Sequence, residues 1–272
     1  MQNSVPDFGY DPSREQPFEP GPTPIAAPPP TGQVNLASLP PVGQQGTAAH
    51  PGSPPTCCSW ASTELATFYA AQSGLVDPSQ PSGQASPAQI YIQVMQAVSE
   101  PAGQCKGSAF SDYFSILTQS GAPTLQNAPY DSDCGSLWTS YKNGPIAPDA
   151  SFKVPKPLSL KTSNLDGIKA QIAAGNALAW GTNLYTDWVD YTGPNLPVPY
   201  VGNGQLSGAK HCMLIIGYNA TGFLIQNSQG TSWGTTITGE SGTDNCYGYV
   251  WMAYSTFTAL AEGTAIYLPA AS

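Results

Sequence analysis

The spacing of apolar residues changes kind once along this chain, near Ile146, and that change limits the folds open to it. Before it the period is helical. Trp60, Ala61, Leu65, Phe68 and Tyr69 recur at helical spacing after Thr56, and Ser73-Gly74 ends the run. Ser86 is placed to cap a second helix, with Pro87 at its first position and Ile90, Tyr91, Val94, Met95 and Val98 on one face, up to Glu100-Pro101. A third runs from about Ser111, through Tyr113, Phe114, Ile116 and Leu117, to Ser120-Gly121. After the change one helix remains, Leu165 to Ala174, with Ile168 and Ile172 inward. The rest reads as strands: Ala177 to Tyr185, Cys212 to Tyr218, Phe223 to Asn227, Tyr249 to Tyr254 and Ala265 to Leu268. Met213-Leu214-Ile215-Ile216 is an unbroken apolar run, as in a strand buried on both faces. Helices first and strands second give an α+β chain of two lobes.

Three stretches are expected. Residues 1–35 hold nine prolines and no apolar periodicity, and read as a disordered linker or tail. Residues 36–145 make an N-terminal segment and a helical lobe, and residues 146–272 a β-rich lobe. Of the 272 residues, 8 are Lys or Arg and 17 are Asp or Glu, a net charge of −9. Only 9% are charged, against about 25% in ordinary domains. With no basic stripe to neutralise phosphates, nucleic acid is excluded as a partner. No apolar run approaches the roughly 20 residues of a membrane span. The charge-poor surface reads as that of an exported, secreted protein, although no basic and then apolar leader follows Met1.

Few residues can carry chemistry. Of the two histidines, His50 falls in a Pro/Gly loop and reads as solvated, whereas His211 stands where a loop enters the buried strand. Asn227 follows sixteen residues later, at the end of the next strand. A short turn at Asn219 to Gly222 between antiparallel strands would bring His211 and Asn227 side by side. An Asn carbonyl there can hold an imidazole N–H and fix its tautomer. The alternative for His211 is a core histidine satisfied by backbone. Thr56-Cys57-Cys58-Ser59-Trp60-Ala61 lies at a helix start, where the positive end of the helix lowers a thiol pKa.

In chain order, Gln45-Gly46-Thr47, Cys57-Cys58-Ser59-Trp60-Ala61, Gly208-Ala209-Lys210-His211-Cys212 and Asn227-Ser228-Gln229-Gly230-Thr231-Ser232-Trp233-Gly234 resemble the papain-like cysteine peptidases. Ser86-Pro87-Ala88-Gln89-Ile90-Tyr91, Ala128-Pro129-Tyr130-Asp131 and Tyr247-Gly248-Tyr249-Val250-Trp251-Met252 support the likeness, which covers about Leu39 to Phe257. The resemblance implies a two-lobed fold, with a helical left lobe, a β-barrel-like right lobe and the active-site cleft between them. It implies hydrolysis of peptide or protein substrates, with no cofactor beyond a reduced thiol and no metal. It gives Cys57 as nucleophile, His211 as its ion-pair partner and acid/base, Asn227 as the orienter of His211, and Gln45 as an oxyanion donor.

Several alternatives stay open at this level. Cys58 or Ser59 competes with Cys57 for the nucleophile position, and Gln44 with Gln45. Gln229 replaces a Trp that normally shields the His–Asn bond in the family, so a wetter bond is expected, with Trp233 covering part of the loss. The resemblance also implies that Cys105 pairs with Cys134. Cys212 reads as a small hydrophobe, and Cys246 has no assigned role. A metal cluster of Cys57, Cys58, His211 and Cys212 is discounted because adjacent side chains point apart. Beside hydrolysis stand two other uses of the fold: peptide or glycan binding without cleavage, and acyl transfer by the same Cys–His pair.

Overall fold

Cys57–Gln72 form helix α1, and thirteen of its residues are buried, among them Ser59, Ser62, Thr63, Glu64 and Thr67. A helix buried on nearly every side is a core element rather than a surface one. Several of its polar groups find partners: Thr63 Oγ1 donates to the Ser59 carbonyl (2.9 Å) and Ser59 Oγ to the Pro87 carbonyl (2.7 Å). The computed structural model describes residues 8–22, 34–46, 54–193, 199–238 and 247–269, so His50 and Cys246 lie outside the described residues.

Helices α2 (Pro87–Ala97) and α3 (Phe110–Gln119) pack on α1, and α4 (Cys134–Tyr141) packs on α2. The Ser86 cap forms as expected, its Oγ accepting from Ala88 N at 3.2 Å. Helix α4 was not anticipated; eight residues are too few to display a period, although Asp133 caps it through Ser136 N (2.8 Å). Cys105 and Cys134 are joined in a disulfide, tying the approach to α3 to the start of α4.

The second lobe is one sheet. Strands β1 (Glu19–Pro20), β3 (Leu158–Lys161), β4 (Leu178–Tyr185), β5 (Leu206–Tyr218), β6 (Gly222–Gln226), β7 (Tyr249–Ala253) and β8 (Ala261–Tyr267) lie in the order β1-β3-β8-β4-β5-β6-β7. Strand β2 (Val34–Asn35) adds to the far end of β5. Helices α5 (Leu165–Ala173) and α6 (Tyr254–Leu260) pack against the sheet. The two-lobed α+β arrangement is as expected, but the sheet is an open row rather than a closed barrel among the described residues. Strand β5 starts at Leu206, well before Cys212, where it pairs with β4; this first half carries Ser207, Gly208 and Lys210, so no apolar run marks it in the sequence. Residues from Tyr254 leave the sheet as α6 instead of continuing the strand.

The largest departure concerns the N-terminus, since the expectation of an unpacked tail fails for residues 8–22. Phe8 is 2% exposed and Tyr10 9%. The Glu15 carboxylate accepts from the first free N–H groups of α3, Phe110 N (3.1 Å) and Ser111 N (2.8 Å). Arg14 pairs with Asp112 at 3.0 Å, and Glu19–Pro20 run parallel to β3. Residues 8–22 show no period because they form only a three-residue 3-10 turn, Pro12–Arg14, and the two-residue strand β1. Their extended backbone pairs with edges, and their aromatic rings enter pockets one at a time.

Candidate active site

Helix α1 begins at the face of β5, so its first turn and the middle of that strand meet at the boundary between the lobes. Thr56, the residue before it, makes no side-chain cap; its hydroxyl instead meets the Tyr130 hydroxyl at 2.6 Å. The first N–H groups of the helix are therefore left for other acceptors. Trp60, one turn on, is wedged edge-on against Tyr130 (ring centroids 5.0 Å apart), which fixes the direction of the first turn.

On the sheet side, the turn at Asn219 to Gly222 forms as expected. Asn219 Oδ1 accepts from Thr221 N (2.8 Å) and Gly222 N (3.0 Å) and leads β5 into antiparallel β6. That hairpin brings His211 and Asn227 together: Nε2–H of His211 donates to Asn227 Oδ1 at 2.7 Å. Both residues are fully buried. The carboxamide of Asn227 is itself held, with its Nδ2 donating to Gln229 Oε1 at 3.1 Å and its Oδ1 accepting from Ser228 N at 2.8 Å. Gln229 is 5% exposed. The wetter bond expected from Gln229 is thus not found. The Gln closes a chain of hydrogen bonds where a Trp would give only cover, and each bond in a dry chain is strengthened by the next. Trp233 points elsewhere, donating to the Trp188 carbonyl (2.8 Å) and stacking on that ring at 4.7 Å.

The other imidazole nitrogen, Nδ1, is buried and closes no hydrogen bond of ordinary length among the described residues. Its neighbour is Cys57. Burial alone would push the Cys57 thiol up, but the Cys212 and Cys58 thiols and the His211 imidazole beside it hold it well below the ordinary thiol value. Cys58 and Cys212 go the other way. Burial pushes both far up, and Cys57 beside them raises them further. The three sulfurs lie within 4.8 Å of one another. Adjacent side chains do converge here, so the geometric reason for discounting a sulfur cluster is overturned. Ser59 is turned into the helical lobe toward Pro87. Of the three competitors, Cys57 is the one that meets the imidazole.

Gln45 is 4% exposed and locked from two directions: its backbone N donates to the Ser228 carbonyl (2.7 Å) and its Oε1 accepts from Ser228 Oγ (2.9 Å). This leaves its Nε2–H aimed at the first turn of α1. Gln44 instead bridges to Gln229 and lies against Gly230. One acceptor receives both free donors: the Phe8 carbonyl takes Gln45 Nε2–H at 3.0 Å and the backbone N–H of Cys57 at 3.2 Å. The Phe8 ring lies 5.0 Å from the His211 ring.

The segment continues along the cleft. Ser108 N donates to the Gly9 carbonyl (2.8 Å) and Asp11 N to the Ser108 carbonyl (2.9 Å), a parallel bridge about Tyr10. Gly9 has φ +110°, and a Cβ there would lie 1.9 Å from the Pro55 carbonyl oxygen, so no other residue fits. The Tyr10 ring occupies the space left by Gly181, whose missing Cβ would stand 2.1 Å from it. Sequence reasoning missed Phe8, Gly9 and Tyr10; isolated aromatics in a proline-rich stretch offer no periodic signal. A depression of about 730 Å³ lies to one side of this filled cleft, lined in part by Gln44, Gly46, Trp60 and Tyr130.

No protein-family model matches the chain, and no curated protein matches it. Solved structures do. Xylellain, a cysteine protease from Xylella fastidiosa, superposes with a TM-score of 0.69 over 100% of this chain and 99% of its own, at 19% identity. Digestive procathepsin L 3 from the larval midgut of Tenebrio molitor gives 0.59 at 18% identity, over 97% of this chain and 77% of its own. The Carica candamarcensis cysteine protease CMS1MS2, solved with E-64, gives 0.51 at 15% identity, over 89% and 99%. The fold is the two-lobed papain-like one.

Proposed function

We propose that the chain is a cysteine endopeptidase of the papain-like kind, with Cys57, His211, Asn227 and Gln45 as its working residues. The observation that carries this reading is the single carbonyl held by both Gln45 Nε2–H and the Cys57 N–H. Two buried donors converging on one carbonyl oxygen, beside a thiol of lowered pKa, are what stabilisation of a tetrahedral oxyanion requires.

The Cys57 thiolate attacks the carbonyl carbon of a peptide bond, and the oxygen takes the negative charge between the two donors. The imidazolium of His211 gives its Nδ1 proton to the leaving amine, and the C–N bond breaks to leave a thioester on Cys57. Water then loses a proton to Nδ1 and attacks the thioester, releasing the acid and the thiolate. Asn227 keeps Nε2 as the donor to its own oxygen, so Nδ1 always faces the sulfur. No resident cofactor takes part in this scheme. The Cys105–Cys134 disulfide supports an exported protein, since such bonds persist in oxidising compartments. Among the described residues no helix is long and apolar enough to cross a membrane.

Residues 8–11 lie where a substrate backbone would run, and the parallel bridge at Ser108 makes them an occupant that a substrate must displace. Labelling tests the reading. An epoxide that alkylates papain-like thiols is incubated with the full chain and the adduct is located by mass spectrometry, alongside peptide hydrolysis. An adduct on Cys57 that abolishes hydrolysis is expected. An adduct on Cys58 alone, or hydrolysis that survives stoichiometric labelling of Cys57, would overturn it. Hydrolysis products analysed with added amine separate hydrolysis from acyl transfer.

A further inference from the structure

Two of the three buried thiols at the cleft take no part in the proposed reaction, yet both lie against the nucleophile. Cys58 comes from the same helix, and Cys212 from the strand that carries His211, with all three sulfurs within 4.8 Å. The cysteines are 0%, 0% and 1% exposed in chain order. A buried free cysteine is ordinarily a small hydrophobe. Three in contact, one of them beside an imidazole, form a reactive group, because thiolate and thiol are the two partners of disulfide formation.

We propose that Cys212 is a resolving thiol for Cys57, so that hydrogen peroxide converts the nucleophile into a reversible Cys57–Cys212 disulfide instead of destroying it. In the first step the Cys57 thiolate attacks one oxygen of hydrogen peroxide, giving Cys57 sulfenic acid and hydroxide. In the second, the Cys212 sulfur attacks the sulfenic sulfur. The S–S bond forms, the S–O bond breaks, and with the Cys212 proton the oxygen leaves as water. The two thiols together lose two electrons and the peroxide gains them. A dithiol reductant returns both cysteines.

The geometry selects Cys212 over Cys58. Neighbouring Cα atoms are about 3.8 Å apart, below the roughly 4.4–6.8 Å that a disulfide usually spans, and Cys57 and Cys58 are held in the first turn of α1. Cys212 approaches from another element, strand β5, so the adjacent-residue limit does not apply to it, and its sulfur lies within 4.8 Å of that of Cys57. The charge distribution agrees. Cys57 is the thiol whose pKa is lowered, and so the site of first oxidation, while those of Cys58 and Cys212 are pushed up beside it. Their burial excludes a large oxidant, which is why the smallest peroxide is the one named.

The inference rests on Cys57 being the low-pKa nucleophile, but its readout is mass, so it can fail while peptidase activity stands. The reduced full chain, freed of reductant, is treated with a few equivalents of hydrogen peroxide, digested without reduction and mapped. A peptide linking Cys57 to Cys212 is expected, with nearly all lost activity restored by dithiothreitol. In Cys212→Ala, Cys57 should gain two oxygens (about 32 Da) as the sulfinic acid, and less than about a tenth of the activity should return. Cys58→Ala should still form the link. Direct passage of the unaltered chain to Cys57 sulfinic acid overturns the proposal, as does a link from Cys57 to Cys58 or Cys246, or full recovery in Cys212→Ala. The map of the unaltered chain decides the matter even where a variant does not fold.

Discussion

On the sheet wall of the cleft, His211 is oriented within a single hairpin: β5 carries the ring, β6 leads to Asn227, and Gln229 two residues on holds the carboxamide. On the helical wall, the Cys57 pKa is lowered by groups from both lobes, Cys212 across the cleft, Cys58 beside it and His211 across the cleft. The imidazole's orientation is therefore a local property and the thiolate is a shared one. Disturbing the hairpin should spoil geometry while leaving the sulfur charged. Disturbing the contact between the lobes should spoil the charge itself.

The harshest way to break the comparison is to delete the shared element. Cys57→Ala should lower kcat/KM for a peptide substrate by about 10⁴-fold or more, whereas Cys58→Ala, one residue along, should keep turnover within an order of magnitude. Equal losses in both would mean that the register is wrong. Asn227→Ala frees the ring without touching the sulfur. The expected cost is about 100-fold in kcat, the scale of a misplacement near 1 Å, with KM little changed; a fall in KM-dependent binding alone would count against an orienting role.

A gain is expected from loosening the occupant. Phe8→Ala removes the ring beside His211 and should raise kcat/KM about tenfold, equivalent to about 1.4 kcal/mol of weakened docking. Unchanged or lower activity would mean that residues 8–11 do not compete with substrate. The smallest effect concerns Glu64 on α1, which is 4% exposed and accepts from Gly43 N at 3.0 Å. Burial pushes its carboxyl well above the ordinary range. A raised acid binds its proton more tightly folded than unfolded. Its stability contribution is therefore full below the unfolded pKa of about 4.3 and declines as pH rises toward the folded value. Thermal unfolding of the unaltered chain should show that decline, and Glu64→Gln should flatten it; an identical pH profile in the two would remove Glu64 from the account.

The helical wall was legible wherever a helix was long enough to repeat. Helices α1, α2 and α3 stand within a few residues of their expected ends, and Ser86 caps as read. The hairpin was legible because an apolar run, a turn and a second apolar run follow in order. What stayed hidden lacked periodicity. Helix α4 is two turns long, and α6 follows β7 without a break. Residues 8–22 pair with edges that only the folded chain creates. The role of Gln229 was misread because replacing a Trp suggested lost cover, whereas the carboxamide supplies a bond that cover cannot. The cluster of Cys57, Cys58, His211 and Cys212 was discounted because adjacent side chains point apart, whereas the sulfurs of neighbouring Cys57 and Cys58 both lie within 4.8 Å of that of Cys212.

Among these thiols Cys57 alone has its pKa held below the ordinary value, by Cys212, Cys58 and the His211 imidazole. The direct measurement is the rate of iodoacetamide alkylation at each cysteine as a function of pH, read peptide by peptide by mass spectrometry, in the full chain and in His211→Ala. The account predicts a Cys57 midpoint well below the ordinary thiol value of about 8.5, rising in His211→Ala, with Cys58 and Cys212 unreactive across the same range. A Cys57 midpoint near the ordinary value, or one that does not move when the imidazole is removed, would contradict it.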